Sequence, residues 1–178
     1  NDRRTARRNV AAHYDLGNDF YAAWLDPSMT YSSARFAPGD DLEAAQHRKI
    51  ATLLDRLDLK PGDRLLEIGC GWGTLAIEAA QRGAKVVGLT LSAEQKSWAD
   101  AKIAEAKLSD RIEIRLQDYR EICEQFDAVA SVEMVEAVGQ RWWSAYLDSI
   151  ARNLRPGGRA AIQLISIDAR IFDGYSRN

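Results

Sequence analysis

Leu65-Leu66-Glu67-Ile68-Gly69-Cys70-Gly71-Trp72-Gly73 sets a short, mostly apolar run against three glycines at alternate positions. A run of that length, bounded by a polar turn and by glycine, predicts a strand over Arg64–Ile68. The glycines that follow let the backbone turn tightly and approach a ligand with no Cβ in the way. Helix-forming residues resume at Thr74–Gln81. Strand, glycine turn and helix in that order open an α/β unit that binds a nucleotide-like ligand.

The same alternation continues on both sides. Upstream, Ile50, Leu53, Leu54 and Leu57 fall at helical spacing and predict a helix over 42–58, stopped by Lys60-Pro61-Gly62-Asp63. Downstream, a second strand is expected at Lys85–Leu89, a helix near Ala93–Ala106, a third strand at Ile112–Leu116 and a fourth at Phe126–Val132. Residues 140–153 read as helix, Asn153–Gly158 as a turn and Arg159–Ile167 as a fifth strand. Strands alternating with helices predict a doubly wound, mainly parallel α/β sheet, with its ligand at the carboxyl ends of the strands. Residues 1–41 are irregular, rich in aromatics and punctuated by Gly17, Pro27, Pro38 and Gly39. They read as an entry segment covering the ligand site, with the α/β domain over 42–178. The first residue is Asn, not Met, and the chain stops soon after the fifth strand. The sequence is therefore expected to be a piece of a longer product.

Charge narrows the partners. With 24 Lys and Arg against 26 Asp and Glu, the net charge of −2 lacks the basic excess of a nucleic-acid binder. Arg3, Arg4, Arg7 and Arg8 form a local exception, either a solvated helix face or a patch that attracts anionic lipid headgroups. Cys70 and Cys123 make no metal-ligand spacing and no disulfide framework, so a reducing cytoplasm is the expected compartment. No signal peptide and no membrane-spanning apolar run is legible in these residues.

Two details of the glycine turn favour S-adenosylmethionine over a dinucleotide. The pattern is Glu-x-Gly-x-Gly-x-Gly, not Gly-x-Gly-x-x-Gly, and the second strand ends in Leu89-Thr90-Leu91-Ser92 without the acid that binds an NAD ribose. A purely structural glycine turn is the alternative. Asp118, after the third strand, reads either as an acceptor for an adenine amino group or as a solvated loop acid.

Several ordered motifs then resemble the cyclopropane-fatty-acid synthases, including the mycolic-acid cyclopropane synthases. They are His13-Tyr14-Asp15-Leu16-Gly17-Asn18-Asp19-Phe20-Tyr21, Met29-Thr30-Tyr31-Ser32-Ser33-Ala34-Arg35-Phe36, and the glycine turn down to Trp72. Gly88-Leu89-Thr90-Leu91-Ser92-Ala93-Glu94-Gln95 and Ser131-Val132-Glu133-Met134-Val135-Glu136-Ala137-Val138-Gly139 complete the set. The resemblance spans residues 9–167. It implies a Rossmann-like class I methyltransferase fold whose sheet normally has seven strands, so further strands are expected beyond the fifth. It also implies that Tyr31, Ser32, Gly69, Gly71, Thr90, Leu91, Gln95 and Asp118 line the cofactor. In that family a bicarbonate ion serves as the base, and its holders correspond to Ser33, Glu136, Gln163 and Ile165. Glu136 is the motif-matched carboxylate expected to anchor it. The resemblance further suggests a homodimer, peripheral to the inner face of the membrane.

Three departures are visible. The family often has cysteine at Ser33, histidine at Gln163 and histidine at Ala137. Glutamine donates and accepts hydrogen bonds but does not carry a proton as histidine does. The implied substrate, a double bond in an unsaturated phospholipid acyl chain, is a poor nucleophile, so close alignment must supply much of the acceleration. Methyl attack leaves a carbocation that aromatic faces stabilise by about 0.5–2 kcal/mol each, with Tyr14, Tyr21, Trp24, Tyr31, Phe36 and Trp72 as candidates. Proton loss then gives a cyclopropane, or a methylene branch that reduction turns into a methyl branch. His13 reads as a structural hydrogen-bonding residue or a proton carrier. Two rival functions share the fold: methylation of a soluble small molecule, as in the similar coclaurine N-methyltransferases, and a non-catalytic cofactor-binding module.

Overall fold

The computed structural model describes residues 17–170. His13, Tyr14 and the arginine cluster at 3–8 lie outside the described residues. In chain order the elements are α1 (Asn18–Ala22), α2 (Leu42–Leu57), β1 (Arg64–Ile68), α3 (Thr74–Gln81), β2 (Lys85–Thr90), α4 (Ala93–Glu105) and β3 (Ile112–Leu116). They continue with β4 (Phe126–Val132), α5 (Val135–Val138), a 3₁₀ turn (Gln140–Trp142), α6 (Trp143–Asn153) and β5 (Leu154–Gln163).

The strands form one parallel sheet in the order β3-β2-β1-β4-β5. The chain builds outward from β1 to β3, then crosses back and places β4 on the other side of β1. That reversal opens a crevice beyond the carboxyl ends of β1 and β4. Strand periodicity of two decides what each face meets. Leu65, Val86, Ile112, Ile114 and Ala128 face α2, α3 and α4, where Leu54, Leu75, Ala79 and Ile103 complete one core. Leu66, Ile68, Val87, Leu89 and Val129 face the other way, onto Tyr146 and Ile150 of α6. The central strands β1, β2 and β4 are thus buried on both sides and read as largely apolar runs, whereas the outer strands β3 and β5 expose part of their residues.

Local signals fix the helix ends. Asp41 caps α2 by accepting the Ala44 N–H at 2.8 Å, and Ser92 caps α4 by accepting the Gln95 N–H at 3.2 Å. Asp58 closes α2 in the left-handed conformation, at φ 52°.

Three expectations need correction. Asn153–Gly158 is not a free turn, because Asn153 ends α6 and β5 begins at Leu154. Pro156-Gly157-Gly158 lies in a bulge. The register jumps from Phe126↔Leu154 to Ala128↔Arg159, and Gly157 takes φ 83°. The outer strand of this sheet tolerates a proline that a central strand would reject. The fifth strand also ends at Gln163, four residues earlier than expected from the apolar run. Finally, α1 is a short helix inside a stretch that reads as irregular, and α5 is a short helix in the loop after β4, for which the sequence pattern assigns no element.

Asn153 joins α6 to the sheet. Fully buried, it accepts the Glu124 N–H at 2.9 Å and donates to the Ser149 carbonyl at 2.7 Å. Replacing it with Leu keeps the volume and strands these backbone groups. Asn153→Leu is expected to cost about 2–4 kcal/mol, and calorimetry should show a melting temperature about 5–15 °C lower.

Candidate functional site

A cavity of about 880 Å³ opens at the carboxyl ends of the strands, between the glycine turn, the segment around Met29–Ser33 and the loop after β4. Its floor is the turn after β1. Gly69 and Cys70 both donate backbone N–H groups to the Leu89 carbonyl, at 3.0 and 2.9 Å, which binds the turn to β2. Gly69, at φ 79°, sits so close to Met134 that a Cβ would fall 2.5 Å from its sulfur. Gly71 also has positive φ, at 52°, but a Cβ there would meet open space, so the turn presents bare backbone to the cavity. Glu67, buried beneath the turn, lines the cavity and has one carboxylate oxygen, Oε2, without a partner. Burial pushes its carboxyl pKa well up, against one stabilising backbone bond from Ala76. Such an orphaned acceptor fits a ligand that brings a cationic donor, as the α-ammonium of S-adenosylmethionine would.

The second wall belongs to β2 and β3. The Thr90 hydroxyl donates to Gln95 Oε1 at 2.8 Å and accepts the Ser92 N–H at 3.1 Å, with all three residues buried. Thr90, Leu91 and Gln95 line the cavity where a dinucleotide enzyme would place an acid. Asp118 lines it too, held by Arg120: Nε donates to Oδ1 at 2.8 Å and Nη2 to Oδ2 at 2.6 Å. The Asp118 hydrogen bonds hold the Arg120 guanidinium pKa above its ordinary value. Sequence reasoning singled out Asp118 but not its arginine, two residues on, which local spacing could have suggested.

Aromatics close the opposite side. Tyr21 stacks at 5.1 Å from Trp72 and 5.5 Å from Tyr31, and Trp24 meets Tyr31 edge-on at 5.4 Å. Trp24, Tyr31 and Trp72 line the cavity. Tyr21 is buried behind them, and the Trp72 indole N–H donates to Asn18 Oδ1 at 2.7 Å. Phe36, expected among the cation-stabilising rings, is 61 % exposed and is not part of the wall.

Of the four residues expected to hold bicarbonate, Ser33, Glu136 and Ile165 line the cavity, and Gln163 reaches it only through its bonds to Ser33 and Glu133. They fall into two groups. Glu136 accepts the Ile165 N–H in a very short hydrogen bond, and both line the cavity. Ser33 and Gln163 converge on a residue the sequence reading passed over, Glu133. Its Oε1 accepts the Ser33 N–H at 2.8 Å, the Ser33 hydroxyl at 2.6 Å and the Gln163 amide at 3.0 Å. Gln163 also donates to Ser33 Oγ at 3.1 Å. Ser32, beside them, accepts from Lys49, whose amine also donates to Gln46 Oε1. Burial pushes the Lys49 pKa down to about 8, and attraction to Glu133 and Asp26 offsets part of that fall. Glu133, Gln46 and Lys49 all line the cavity.

The comparisons with known proteins agree on the family. The family model described as "Mycolic acid cyclopropane synthetase" matches residues 1–171. The tuberculostearic acid methyltransferase of Mycobacterium tuberculosis is 49 % identical over 173 residues, which cover 93 % of this chain and 40 % of that protein. The cyclopropane-fatty-acyl-phospholipid synthase of Escherichia coli K12 is 45 % identical over 147 residues, covering 82 % of this chain and 37 % of that protein. The chain therefore spans less than half the length of these two curated relatives. The solved cyclopropane synthase MmaA2 of Mycobacterium tuberculosis superposes with a TM-score of 0.88 at 35 % identity, over 94 % of this chain and 60 % of that one. The mycolic acid cyclopropane synthase CmaA1, complexed with SAH and CTAB, gives 0.79 at 35 % identity, over 84 % and 53 %.

Lys49 gives this site a pH signature. The folded amine loses its proton near pH 8, and the unfolded one near the ordinary 10.5. Between those values the unfolded chain binds more protons, so the Lys49 contribution to stability rises with pH across that window and is smallest below it. Urea denaturation at about pH 7 and about pH 9.5 should show the protein gaining stability relative to Lys49→Met at the higher pH. An unchanged difference would mean that the amine is not desolvated.

Proposed function

The chain belongs to the mycolic acid cyclopropane synthetase family, and from that premise we propose that it binds S-adenosylmethionine and transfers a one-carbon unit to the double bond of an unsaturated lipid acyl chain. The observation that carries this reading is a single cavity lined both by bare glycine backbone with the orphaned Glu67 oxygen and by aromatic rings with the Glu133 and Glu136 carboxylates. Relatives named for acyl-chain modification, and a neighbour complexed with SAH and CTAB, support the choice of a lipid over a soluble small molecule.

S-adenosylmethionine supplies an electrophilic methyl group on a sulfonium. The protein's contribution is placement. The glycine turn, Glu67, Thr90, Gln95 and Asp118 offer a cradle of backbone and polar groups for the amino-acid, ribose and adenine parts. Tyr31 and Ser32, on the opposite segment, cover the same space. Holding a weak nucleophile such as an alkene in line with the methyl group is worth about 7–11 kcal/mol of the barrier when alignment is good. Trp24, Tyr31 and Trp72 line the cavity, and aromatic rings there would stabilise positive charge that develops on the chain. Trp24 and Tyr31 are also about half exposed, at 49 % and 43 %, which leaves an apolar rim by which an acyl chain enters. A phospholipid at the inner membrane surface is the proposed donor of that chain. No helix among the described residues is long and apolar enough to cross a membrane.

The test is mass spectrometry of membrane lipids from cells expressing the protein and fed methionine with a deuterated methyl group. Unsaturated acyl chains should gain one carbon, and lose one of its deuteriums in forming a cyclopropane or methylene branch. Unlabelled lipids, from a protein that binds S-adenosylmethionine in calorimetry, would defeat the acyl-chain reading and favour a soluble acceptor.

A further inference from the structure

We infer that the Glu133 carboxylate is the base of the reaction, built into the chain at the place where a free bicarbonate ion was expected. The inference rests on the reading above, one-carbon transfer to an acyl chain. Three donors (the Ser33 N–H, the Ser33 hydroxyl and the Gln163 amide) meet on one oxygen, Glu133 Oε1, at 2.6–3.0 Å. Ser33 and Gln163 are two of the four residues expected to hold the ion, so the donors meant for a mobile anion are engaged by a carboxylate of the protein. Both residues also differ from the types frequent in the family. Serine is a hydroxyl donor where a thiol is common, and glutamine is a neutral donor where an ionisable imidazole is common. Both suit a permanent carboxylate partner.

The backbone adds an independent observation. Glu133 adopts φ 50°, a left-handed conformation that favours glycine and costs a long side chain about 1 kcal/mol or more. Its N–H donates to the Gln163 carbonyl at 2.9 Å, which fixes the residue between β4 and β5. A strained residue held at the mouth of the crevice by its own side-chain and backbone bonds is aimed, not accidental. Among the described residues Oε2 takes no hydrogen bond, and the side chain lines the cavity. One oxygen is therefore anchored and the other is free to take a proton. The buried Lys49 amine stabilises the negative charge from the side of α2.

The alkene π pair forms a bond to the methyl carbon, the sulfonium–methyl bond breaks with its pair on sulfur, and the neighbouring chain carbon is left cationic. Glu133 Oε2 then takes a proton from the new methyl group. The C–H pair closes a cyclopropane, or, after a hydride shift, forms an exocyclic double bond. Glu133, now a carboxylic acid, returns the proton to water.

Glu133→Gly and Glu133→Gln test this in the intact protein. Glycine relieves the left-handed strain and opens an anion-sized space among intact donors; glutamine fills that space without a base. Transfer of labelled methyl to vesicles of monounsaturated phospholipid would be measured in carbon-dioxide-free buffer, with and without added bicarbonate. The protein itself should be indifferent to bicarbonate. Both variants should lose at least about a hundredfold in turnover, with S-adenosylmethionine affinity unchanged in calorimetry. Added bicarbonate should restore Glu133→Gly and leave Glu133→Gln inactive. ¹³C-bicarbonate should be detected by NMR on Glu133→Gly and not on the unaltered protein. Unaltered protein that needs bicarbonate, full activity in either variant without it, or a Glu133→Gly defect that bicarbonate does not repair would overturn the inference while leaving methyl transfer to the acyl chain standing. No transfer by the unaltered protein at either bicarbonate level would remove the acyl-chain reading itself, and the base role with it.

Discussion

The Leu89 carbonyl accepts two backbone N–H groups, from Gly69 and Cys70, and the site hangs on that pair. It stops β1 from continuing along β2 and turns the chain into α3. The turn needs positive φ at Gly69, Gly71 and Gly73. It also needs empty volume where a Cβ at Gly69 would strike Met134 and a Cβ at Gly88 would lie 2.7 Å from Ile114. Glycine meets both demands at once, conformational and steric. What results is a floor of bare backbone under the crevice that the order β3-β2-β1-β4-β5 opens.

Polar groups enter that crevice at known cost and for identifiable returns. Ser131 spends its hydroxyl on the Ile68 carbonyl at 2.8 Å, tying β4 to the end of β1 and leaving no donor unpaired there. Thr90 and Gln95 satisfy one another. Glu67 does not follow this rule, since its orphaned oxygen is the mark of a site completed by a ligand rather than by the protein. Lys49 is the opposite case, a buried cation whose hydrogen bonds run to Gln46 and Ser32 and whose charge is balanced by Glu133 and Asp26. Buried charges kept in this way set the potential of the cavity more than they add to stability.

Local patterning made most of the fold legible. Apolar-rich runs five to seven residues long, closed by glycine or polar residues, located β1, β2 and β4, and β3 shows the alternation of a half-buried edge in Ile112-Glu113-Ile114-Arg115. Helical spacing and the Asp41 and Ser92 caps located α2 and α4. The failures came where a non-local partner overrode a local signal. Pro156-Gly157-Gly158 is turn chemistry by any local rule, yet pairing with β4 absorbs it as a bulge. In the same way, the cofactor wall was legible because its residues sit at strand ends, whereas Glu133 was not. Its partners lie 100 positions back and 30 positions on, and Glu136, three residues away, held the motif-matched place. One signal was available all the same. The departures at Ser33 and Gln163 are two changes at a single meeting point, and the residue both of them touch was the thing to look for.

Glu133 and Glu136 then divide the work by geometry. Glu136 is exposed, and its carboxylate is taken up by the Ile165 backbone, so it fixes the loop after β5 against α5. Glu133 is half-buried, its backbone strained and one oxygen saturated by three donors. A carboxylate anchored through one oxygen loses little entropy on accepting a proton at the other, because the ordering has already been imposed by the fold. A free anion would have to be captured and oriented anew in every cycle. The left-handed φ at Glu133 is the structural cost of removing that step, and the Ser33 and Gln163 donors are what hold it in place.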